Sequence, residues 1–461
     1  MSSPIAPAAN RLSLDDLGYV LDCLREERIR SNWSANTPYC PAYTTLCACA
    51  LVSRAWRDLA QRRLFRDLVF SHGSFLNKDY DVEQRDLMVL HQFLVDTPQA
   101  CQYARSLRLR TTKRGASEGE TTDPAQLYEI FSRLPYLDAI HLEDIAFPDP
   151  DPMLGLPEPL VDFPALTRLT IVFRHTQSKV QEVVSRVLSR CRRVEHLRLL
   201  GVSGLDPFGL LSLRDAEPRG PYLELGTLAI QQSDLWFLHL PLYIAKTTIG
   251  LRALSISEIE CPVVMHTLQK LIDAHCSSLE RFAYGDCSSA QPDSTGAQYA
   301  EHSDLPMRIP DLSKCTRLSS LEVTLGFHPR SLPNKLCHLL TPMLSSLANG
   351  AHTPLRRVTL KSAAHKGLAD DIRAPSAAPH FRALDGALLA LRERGLAQVV
   401  VDLGETFESR VVAKEMKRAV RGVLPRVARA GVLKVLLVAE VGESCLPPES
   451  DSSSSGAEGD T

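Results

Sequence analysis

The chain has 461 residues, of which 44% are hydrophobic and 23% charged, and its formal net charge is −2. This composition is typical of a globular protein and excludes a chain that is disordered throughout, and the near-zero charge gives no general attraction to nucleic acid or to an anionic membrane. We see neither a signal peptide nor a membrane-spanning apolar run, so we expect a soluble protein of the cytoplasm or nucleus, with its twelve cysteines reduced.

The first predicted helix lies in RLSLDDLGYVLDCLRE and follows residues 1–11, which we expect to be disordered. Ser13 can cap the amino end of this helix, and Asp16 lies near the positive end of its dipole. One apolar stripe runs along it, formed by Leu14, Leu17, Leu21 and Leu24.

A second helix is predicted in LCACALVSRAWRDLAQRRLF, residues 46–65. Its apolar positions have the spacing of one helix face and are Ala48, Leu51, Val52, Ala55, Trp56 and Leu59. A third short segment adds Leu64, Phe65, Leu68 and Phe70. A helical unit of about sixty residues has little room to bury three apolar stripes, so we expect a partner or the first repeat to cover part of this surface.

These segments resemble an F-box motif of the kind common in fungal F-box proteins, and the strongest match is ALVSRAW followed by LFRDL within residues 12–70. Two departures are Ser13, where the family usually has proline, and a gap between the helices about ten residues longer than usual. The resemblance implies that the motif binds the small adaptor subunit of a cullin–RING (SCF-type) ubiquitin ligase while downstream repeats select substrates. The candidates for the adaptor-facing or supporting surface are Leu14, Leu17, Leu21, Leu51, Val52 and Trp56.

Two other uses of the second helix are disfavoured. Side chains two residues apart on a helix point about 200° apart, so Cys47 and Cys49 cannot share a metal ion. The arginines around the helix are interrupted by Asp58 and Asp67 and have no aromatic platform beside them. We therefore predict no metal and no nucleic-acid partner.

A repeated pattern begins at residue 104, after a connecting helical region predicted for residues 71–103. The pattern is apolar, two variable residues, apolar, one variable residue, apolar, and it occurs in eleven segments from ARSLRL at 104 to VLKVLL at 432. Its alternation predicts a strand with one buried face, and stripes such as Leu127, Ile130, Phe131 and Leu134 predict intervening helices. A single strand–helix unit cannot bury both apolar faces, whereas stacked units can.

The repeats resemble leucine-rich repeats of the longer, helix-containing kind, although the Asn or Cys that usually follows the strand is mostly missing. The predicted fold is therefore α/β: a small N-terminal helical F-box-like unit (12–70), then a curved leucine-rich-repeat-like solenoid (104–441) with a parallel strand ladder and outer helices. The acidic, serine-rich tail 442–461 is predicted to be disordered.

Residues between the buried strand positions are predicted to project onto the concave side of the solenoid, where repeat proteins bind extended partners. The substrate-binding candidates there are His141, Arg168, His196, Arg198, Arg281, Glu322 and Arg357. Their arginines suit an acidic or phosphorylated peptide, since guanidinium groups form bidentate bonds with carboxylates and phosphates.

No phosphate loop, nucleophile elbow, zinc-protease motif or dinucleotide fingerprint is present, so we predict no enzyme and no cofactor. The predicted function is a substrate-recognition adaptor of a ubiquitin ligase. The alternative is a ligase-independent scaffold whose first helices cap the solenoid; the long gap favours it and ALVSRAW…LFRDL disfavours it. A hydrolase or transferase would require a polar cluster at the carboxyl ends of the strands.

Overall fold

The chain forms two compact units in a computed structural model. Unit 1 comprises residues 1–318 and 351–353, and unit 2 comprises 319–350 and 354–461. The described residues are 19–24, 41–76, 82–113, 122–145, 165–173, 184, 187–188, 190–200, 223–231, 240–256, 262–285, 309–325, 340–350, 354–362, 372–375, 377–406 and 410–438. The two segments predicted to be disordered, 1–11 and 442–461, lie outside this part of the chain, as do Leu14 and Leu17.

Unit 1 combines helices with a mostly parallel sheet. Its described helices are α1 (19–24), α2 (Pro41–Val52), α3 (Arg54–Arg66), α4 (Leu87–Asp96), α5 (Pro98–Tyr103), α6 (Pro124–Ser132), α7 (Leu240–Thr247) and α8 (Pro262–His275). Its strands are β1 (Asp67–Leu76), β2 (Val82–Arg85), β3 (Ser106–Lys113), β4 (Ala139–Glu143), β5 (Leu166–Val172), β6 (Arg193–Leu200), β7 (Leu223–Gln231), β8 (Thr248–Ile249), β9 (Ala253–Ile256) and β10 (Arg281–Tyr284).

The strands of unit 1 follow one another in the sheet almost in chain order. The order is β2-β1-β3-β4-β5-β6-β7-β9-β10, with β8 paired to β7 beside this path. Each neighbouring pair is parallel except β1 and β2, which are antiparallel. Sequential parallel strands joined by helical connections are what the repeat pattern predicts.

One face of this sheet is apolar and buried, because successive side chains of a strand point to opposite faces. Its rungs of leucine and isoleucine are almost completely shielded from solvent, for example Leu107, Leu109, Leu169, Ile171, Leu197 and Leu199. The stripe predicted on α6 is equally buried: Leu127, Ile130, Phe131 and Leu134. Since burying one such side chain contributes about 1.5–3 kcal/mol, these rungs and stripes form the interior of the unit.

Unit 2 has four parallel strands in the order β11-β12-β13-β14. Its elements are β11 (Ser320–Leu325), α9 (Thr341–Asn349), β12 (Arg357–Ser362), α10 (Ala378–Glu393), β13 (Gln398–Thr406), α11 (Arg410–Val423), α12 (Pro425–Arg429) and β14 (Leu433–Val438). The buried carboxylate of Asp385, on α10, accepts bonds from the backbone N–H groups of Arg426 (3.1 Å) and Val427 (3.0 Å). It therefore joins α10 to the amino end of α12, where backbone donors lack partners within the helix.

All eleven segments of the repeated pattern contain a strand, so the predicted parallel α/β arrangement is confirmed within each unit. The sheet nevertheless begins earlier than residue 104. Asp67–Leu76, predicted to be partly helical and partly a connecting helical region, is the strand β1, and it pairs in parallel with β3. Asp67 ends α3 with an extended backbone (φ −119°, ψ 97°), and β-strand pairing with Ser106–Lys113 satisfies the backbone beyond it.

Candidate functional site

The helical region, defined as α1, α2 and α3, has a small core of its own. Leu21 of α1 and Leu46 of α2 are fully buried, and the residues packed against them are Leu24, Cys49, Trp56, Leu59 and Leu64. A bidentate ion pair also joins α1 to α3: Arg63 Nε lies 3.0 Å from Asp22 Oδ1, and Arg63 Nη2 lies 2.9 Å from Asp22 Oδ2. The three helices are therefore held together by both apolar and ionic contacts.

The helix predicted over residues 46–65 is interrupted at Ser53. This residue has an extended backbone (φ −158°, ψ 169°), and its side-chain oxygen accepts a bond from the backbone N–H of Trp56 at 3.3 Å. A serine side chain that caps a helix in this way favours a new amino terminus over continuation of the preceding helix. The predicted continuous stripe is wrong at this point, because Leu51 and Val52 end α2 while Trp56 belongs to α3.

Burial separates the adaptor-binding candidates into two groups. Leu21 is completely buried and Trp56 is partly buried against the same core, so both support the helical region from within. Leu51 and Val52 are 81% and 64% exposed. Two further apolar residues of α1, Tyr19 and Val20, are also exposed although the sequence pattern did not single them out.

The helical region continues directly into the sheet of unit 1. The backbone N–H of Arg105 donates to the carbonyl of Arg66 at 2.9 Å, just where α3 gives way to β1. The ring of Phe65 packs against that of Phe93 on α4, with 6.1 Å between their centroids. The orientation of α3 is thus fixed by the first strands and helices that follow it.

The other candidate surface is the open strand face of unit 1, which is the side of β3–β10 opposite the buried leucine rungs. Strand pairing aligns one row of side chains across this face: Arg108, His141, Thr170, Arg198, Ala229, Ser255 and Ala283. A second row beside it contains Ser106, Ala139, Arg168, His196, Thr227, Ala253 and Arg281. The five substrate-binding candidates of unit 1 therefore share this face.

The remaining two candidates, Glu322 and Arg357, belong to unit 2. Glu322 lies opposite Thr359 in the pairing of β11 with β12, and Arg357 lies opposite Ser320. The Glu322 carboxylate is 2.7 Å from Lys361 Nζ, so part of its charge is already compensated within this unit.

Two candidates on the open strand face bond to a neighbouring strand. His196 Nδ1 is 2.7 Å from Thr227 Oγ1, and Arg198 Nη2 donates to Gln231 Oε1 at 2.6 Å. Arg168 and Arg281 are exposed and form no side-chain hydrogen bond or ion pair with any residue that the structure describes. These two guanidinium groups are consequently the ones on this face that can bind another molecule without breaking an internal contact.

The most buried charge on the open strand face is Glu143, whose side chain is fully shielded from solvent. Arg108 Nη2 donates to Glu143 Oε2 at 2.6 Å, Arg110 Nε lies 3.2 Å from Oε1, and His141 Nε2 lies 3.6 Å from Oε2. Burial alone would raise the pKa of Glu143, but the nearby His141 ring, the hydrogen bond from Arg108 and the charges of both arginines outweigh it and lower the pKa to about 2. The carboxylate therefore remains ionised in the folded protein at neutral pH.

Sequence reasoning did not identify Arg108, Arg110 or Glu143. The signal was present, since alignment of SLRLR with AIHLE places Arg108 opposite His141 and Arg110 opposite Glu143, as the strand pairing does. Oppositely charged side chains on neighbouring strands attract each other across a sheet. Comparison of the repeats with one another would thus have predicted this cluster.

Neither a scan against protein-family models nor a search of curated proteins finds a match for this chain. Within the described ranges, no helix combines the length and the apolar character needed to cross a membrane. No cluster of three or more His, Cys, Asp or Glu residues in that same part of the chain is placed to hold a metal ion. Cys49, part of the C-x-C pair, packs instead against the core formed by Leu21 and Leu46.

Proposed function

We propose that this protein is a substrate-recognition adaptor of a cullin–RING (SCF-type) ubiquitin ligase. The helical region would bind the small adaptor subunit of the ligase, and the open strand face would bind a protein substrate. The observation that carries the proposal is the exposure of Leu51 and Val52 on a helical region whose own core is closed by other residues. Their exposure supports a contact with a partner and adds to the resemblance of ALVSRAW…LFRDL to an F-box motif.

Energetics favour a partner for these exposed residues. Complete burial of one leucine or valine side chain contributes about 1.5–3 kcal/mol, and a few well-buried side chains dominate the affinity of most protein interfaces. Leu51 and Val52 are adjacent at the end of α2, and Trp56 packs against the core formed by Leu21 and Leu46. A binding groove that accepts the end of α2 would therefore gain most of its affinity from two residues without disturbing the helical region.

The open strand face supplies the proposed substrate site. Arg168 and Arg281 retain their bonding capacity there, and they favour an acidic partner because guanidinium groups bind carboxylates and phosphates in a bidentate manner. The protein would contribute proximity and orientation to ubiquitin transfer rather than a chemical step. Such a complex would operate in the cytoplasm or nucleus.

The test is co-purification of the ligase adaptor subunit with the full-length chain and with a Leu51→Asp/Val52→Asp variant. Wild-type protein should retain the adaptor subunit. The variant should retain at least about tenfold less of it, because the substitutions place two charges in an apolar contact. Met88→Asp/Val89→Asp is the matched control, because it places the same charges at exposed apolar positions of α4. Circular dichroism should show that both variants are folded.

Absence of the adaptor subunit from the wild-type preparation would exclude the ligase function. Equal retention of the subunit by both double variants would exclude the end of α2 as its binding site.

One structural feature favours the alternative, a ligase-independent scaffold. Because α3 leads directly into β1, and β1 pairs with β3, the helical region adjoins one end of the unit 1 sheet and can serve as its cap. A cap needs no adaptor subunit. Under this alternative, the ligase adaptor subunit would not co-purify with wild-type protein, although partners would still be captured through the strand face.

A further inference from the structure

A cavity of about 680 Å³ lies in unit 1 between the helical region and the segment that connects it to the first repeats. Four arginines line it, Arg62, Arg63, Arg66 and Arg105, together with Tyr103 and Tyr136. Asp22 is the one acidic residue among the described residues that line the cavity. Four arginines against one aspartate leave a formal excess of three positive charges, in a chain whose overall charge is −2.

The aspartate is committed to one arginine. Asp22 forms its bidentate pair with Arg63, which leaves Arg62, Arg66 and Arg105 as the uncompensated guanidinium groups. None of these three forms an ion pair with a carboxylate in the part of the chain that the structure describes. Positive charges held close together repel one another, so this arrangement favours binding of an anion.

Two of the three guanidinium groups are held in place by the protein. The Arg105 guanidinium lies 4.7 Å from the centre of the Tyr136 ring, and its Nη1 donates to the carbonyls of Gln102 (2.9 Å) and Ala104 (3.1 Å). Arg62 lies 5.7 Å from the centre of the Tyr103 ring. Stacking on an aromatic face restricts a guanidinium group while leaving its edge available for hydrogen bonds.

We propose that this cavity binds a phosphorylated side chain in a peptide segment of a partner protein. A phosphate monoester carries a charge of about −1.5 to −2 and three acceptor oxygens, which matches three uncompensated arginines better than a single carboxylate does. The volume lies within the roughly 300–1,000 Å³ of typical ligand sites and leaves room for residues that flank the phosphate. Tyr136, exposed beside Arg105, can pack against those residues.

A nucleic acid fits this surface less well than a peptide does. Binding to a polynucleotide requires positive charge extended along several phosphates, whereas here the uncompensated arginines converge on one cavity. A single dianionic group therefore matches the distribution of charge.

This site is independent of the proposed ligase function. It uses no exposed apolar residue of α2 and none of the substrate-binding candidates of the strand face. Phosphopeptide binding can be measured with the purified chain alone, so the result does not depend on whether the ligase adaptor subunit co-purifies.

The experiment measures binding of fluorescent nonapeptide pools to the full-length chain by fluorescence polarisation. The pools have randomised flanking residues around a central phosphoserine, phosphotyrosine, serine or tyrosine. At least one phosphorylated pool should bind about tenfold or more tightly than its unmodified counterpart, and Arg62→Gln/Arg66→Gln should reduce this binding by at least about tenfold. Arg62→Lys/Arg66→Lys should fall in between, because lysine retains the charge but not the bidentate geometry.

The matched control is Arg54→Gln/Arg57→Gln, which removes two exposed arginines from the same helix outside the cavity and should bind like wild type. Equal binding of phosphorylated and unmodified pools would overturn the proposal. Phosphopeptide binding that is unchanged in Arg62→Gln/Arg66→Gln would also overturn it. An equal loss of binding in the Arg54→Gln/Arg57→Gln control would do the same. Tighter binding of a single-stranded RNA than of any peptide pool, abolished by Arg62→Gln/Arg66→Gln, would assign the cavity to nucleic acid instead.

Discussion

In the helical region of unit 1 several apolar side chains are left in solvent, whereas on the open strand face of the same unit a carboxylate is removed from solvent. Leu51 and Val52 are exposed at the end of α2 and do not belong to the core formed by Leu21 and Leu46. Glu143 is buried but is surrounded by two arginines and a histidine. Both arrangements depart from the usual distribution, in which apolar groups are buried and charges are solvated.

The difference between the two regions lies in how each arrangement is compensated. The charge of Glu143 is compensated within the protein by Arg108 and Arg110. Leu51 and Val52, by contrast, belong to no core in the described part of the chain, and their apolar side chains remain exposed to solvent. An exposed apolar surface of this kind is therefore the stronger indication of a binding partner.

The largest effect should come from Glu143→Gln. The substitution leaves the charges of Arg108 and Arg110 without their carboxylate, and loss of one partner from a buried ionic group costs about 3–5 kcal/mol. Because both arginines retain some exposure to solvent, we expect the lower end, about 3 kcal/mol, in the free energy of unfolding measured with urea. A decrease below about 1 kcal/mol would show that the cluster behaves as a surface ion pair.

The control for Glu143 is Glu195→Gln on β6. Glu195 pairs with Arg252 at 2.5 Å and with Arg193 at 3.5 Å, but it is partly exposed and both arginines are about half exposed. Solvent-exposed pairs contribute about 0–1 kcal/mol. Acid provides a second measurement. The pKa of Glu143 is lowered to about 2 in the folded protein, so its contribution is present above about pH 4.5 and disappears as the pH falls toward 2. The difference between wild type and Glu143→Gln should shrink over that interval.

A smaller effect is expected within the helical region when Leu21→Ala is compared with Leu51→Ala. Leu21 is fully buried, and removal of a buried leucine side chain costs about 2–5 kcal/mol, least where the surroundings can collapse. In a core as small as this one we expect about 2 kcal/mol. Leu51→Ala should change the free energy of unfolding by less than about 0.5 kcal/mol, because an exposed side chain loses few contacts.

The two leucine variants should have the opposite order in binding. Leu51→Ala should weaken retention of the ligase adaptor subunit, whereas Leu21→Ala should weaken it only where the helical region unfolds. Equal destabilisation by both substitutions, measured by thermal unfolding of the full chain, would contradict the assignment of Leu51 to the surface.

The repeat pattern made the strands predictable because every LxxLxL-like segment fixes which side chains face the interior. Leu197 and Leu199 are buried, and Arg198 between them is on the open face, as period-2 alternation requires. The same rule could not predict β1. In DLVFSHGSFL the apolar residues Leu68 and Phe70 suit a helix end as well as a strand, and only pairing with β3 decides between them.

Two features of the candidate surfaces could not be predicted from the sequence and are visible only in the structure. A helical stripe alone could not separate Leu21 from Leu51, because both fit the periodicity and differ only in what packs on them. The cavity lined by Arg62 and Arg105 depends on contact between α3 and the segment before β3, residues some forty positions apart, which the local pattern does not record. Spacing predicts the faces of single elements, but tertiary contacts determine which faces remain exposed.

The smallest effect concerns His275, a titratable group in the interior of unit 1. Thr248 Oγ donates to the carbonyl of Ile244 at 2.7 Å, so at the 3.1 Å contact His275 Nε2 must donate to Thr248 Oγ. Acid would therefore add a proton at Nδ1 and place a charge in a buried site. Burial lowers the pKa of His275 below its usual 6.5, so the stability it confers is complete above about pH 6.5 and decreases as the pH falls toward the folded pKa.

At pH 5.5 this decrease is at most about 1.4 kcal/mol, because the unfolded histidine is then protonated one unit below its pKa. Hydrogen exchange, corrected for the intrinsic effect of pH on exchange rates, should show that the backbone amides of α8 lose protection between pH 7.5 and 5.5. The amides of α3, which contains no histidine, should change less. In His275→Gln the additional loss in α8 should vanish, because glutamine can still donate to Thr248 but does not titrate. An equal pH response of α8 in wild type and His275→Gln would assign the acid sensitivity of unit 1 to another group.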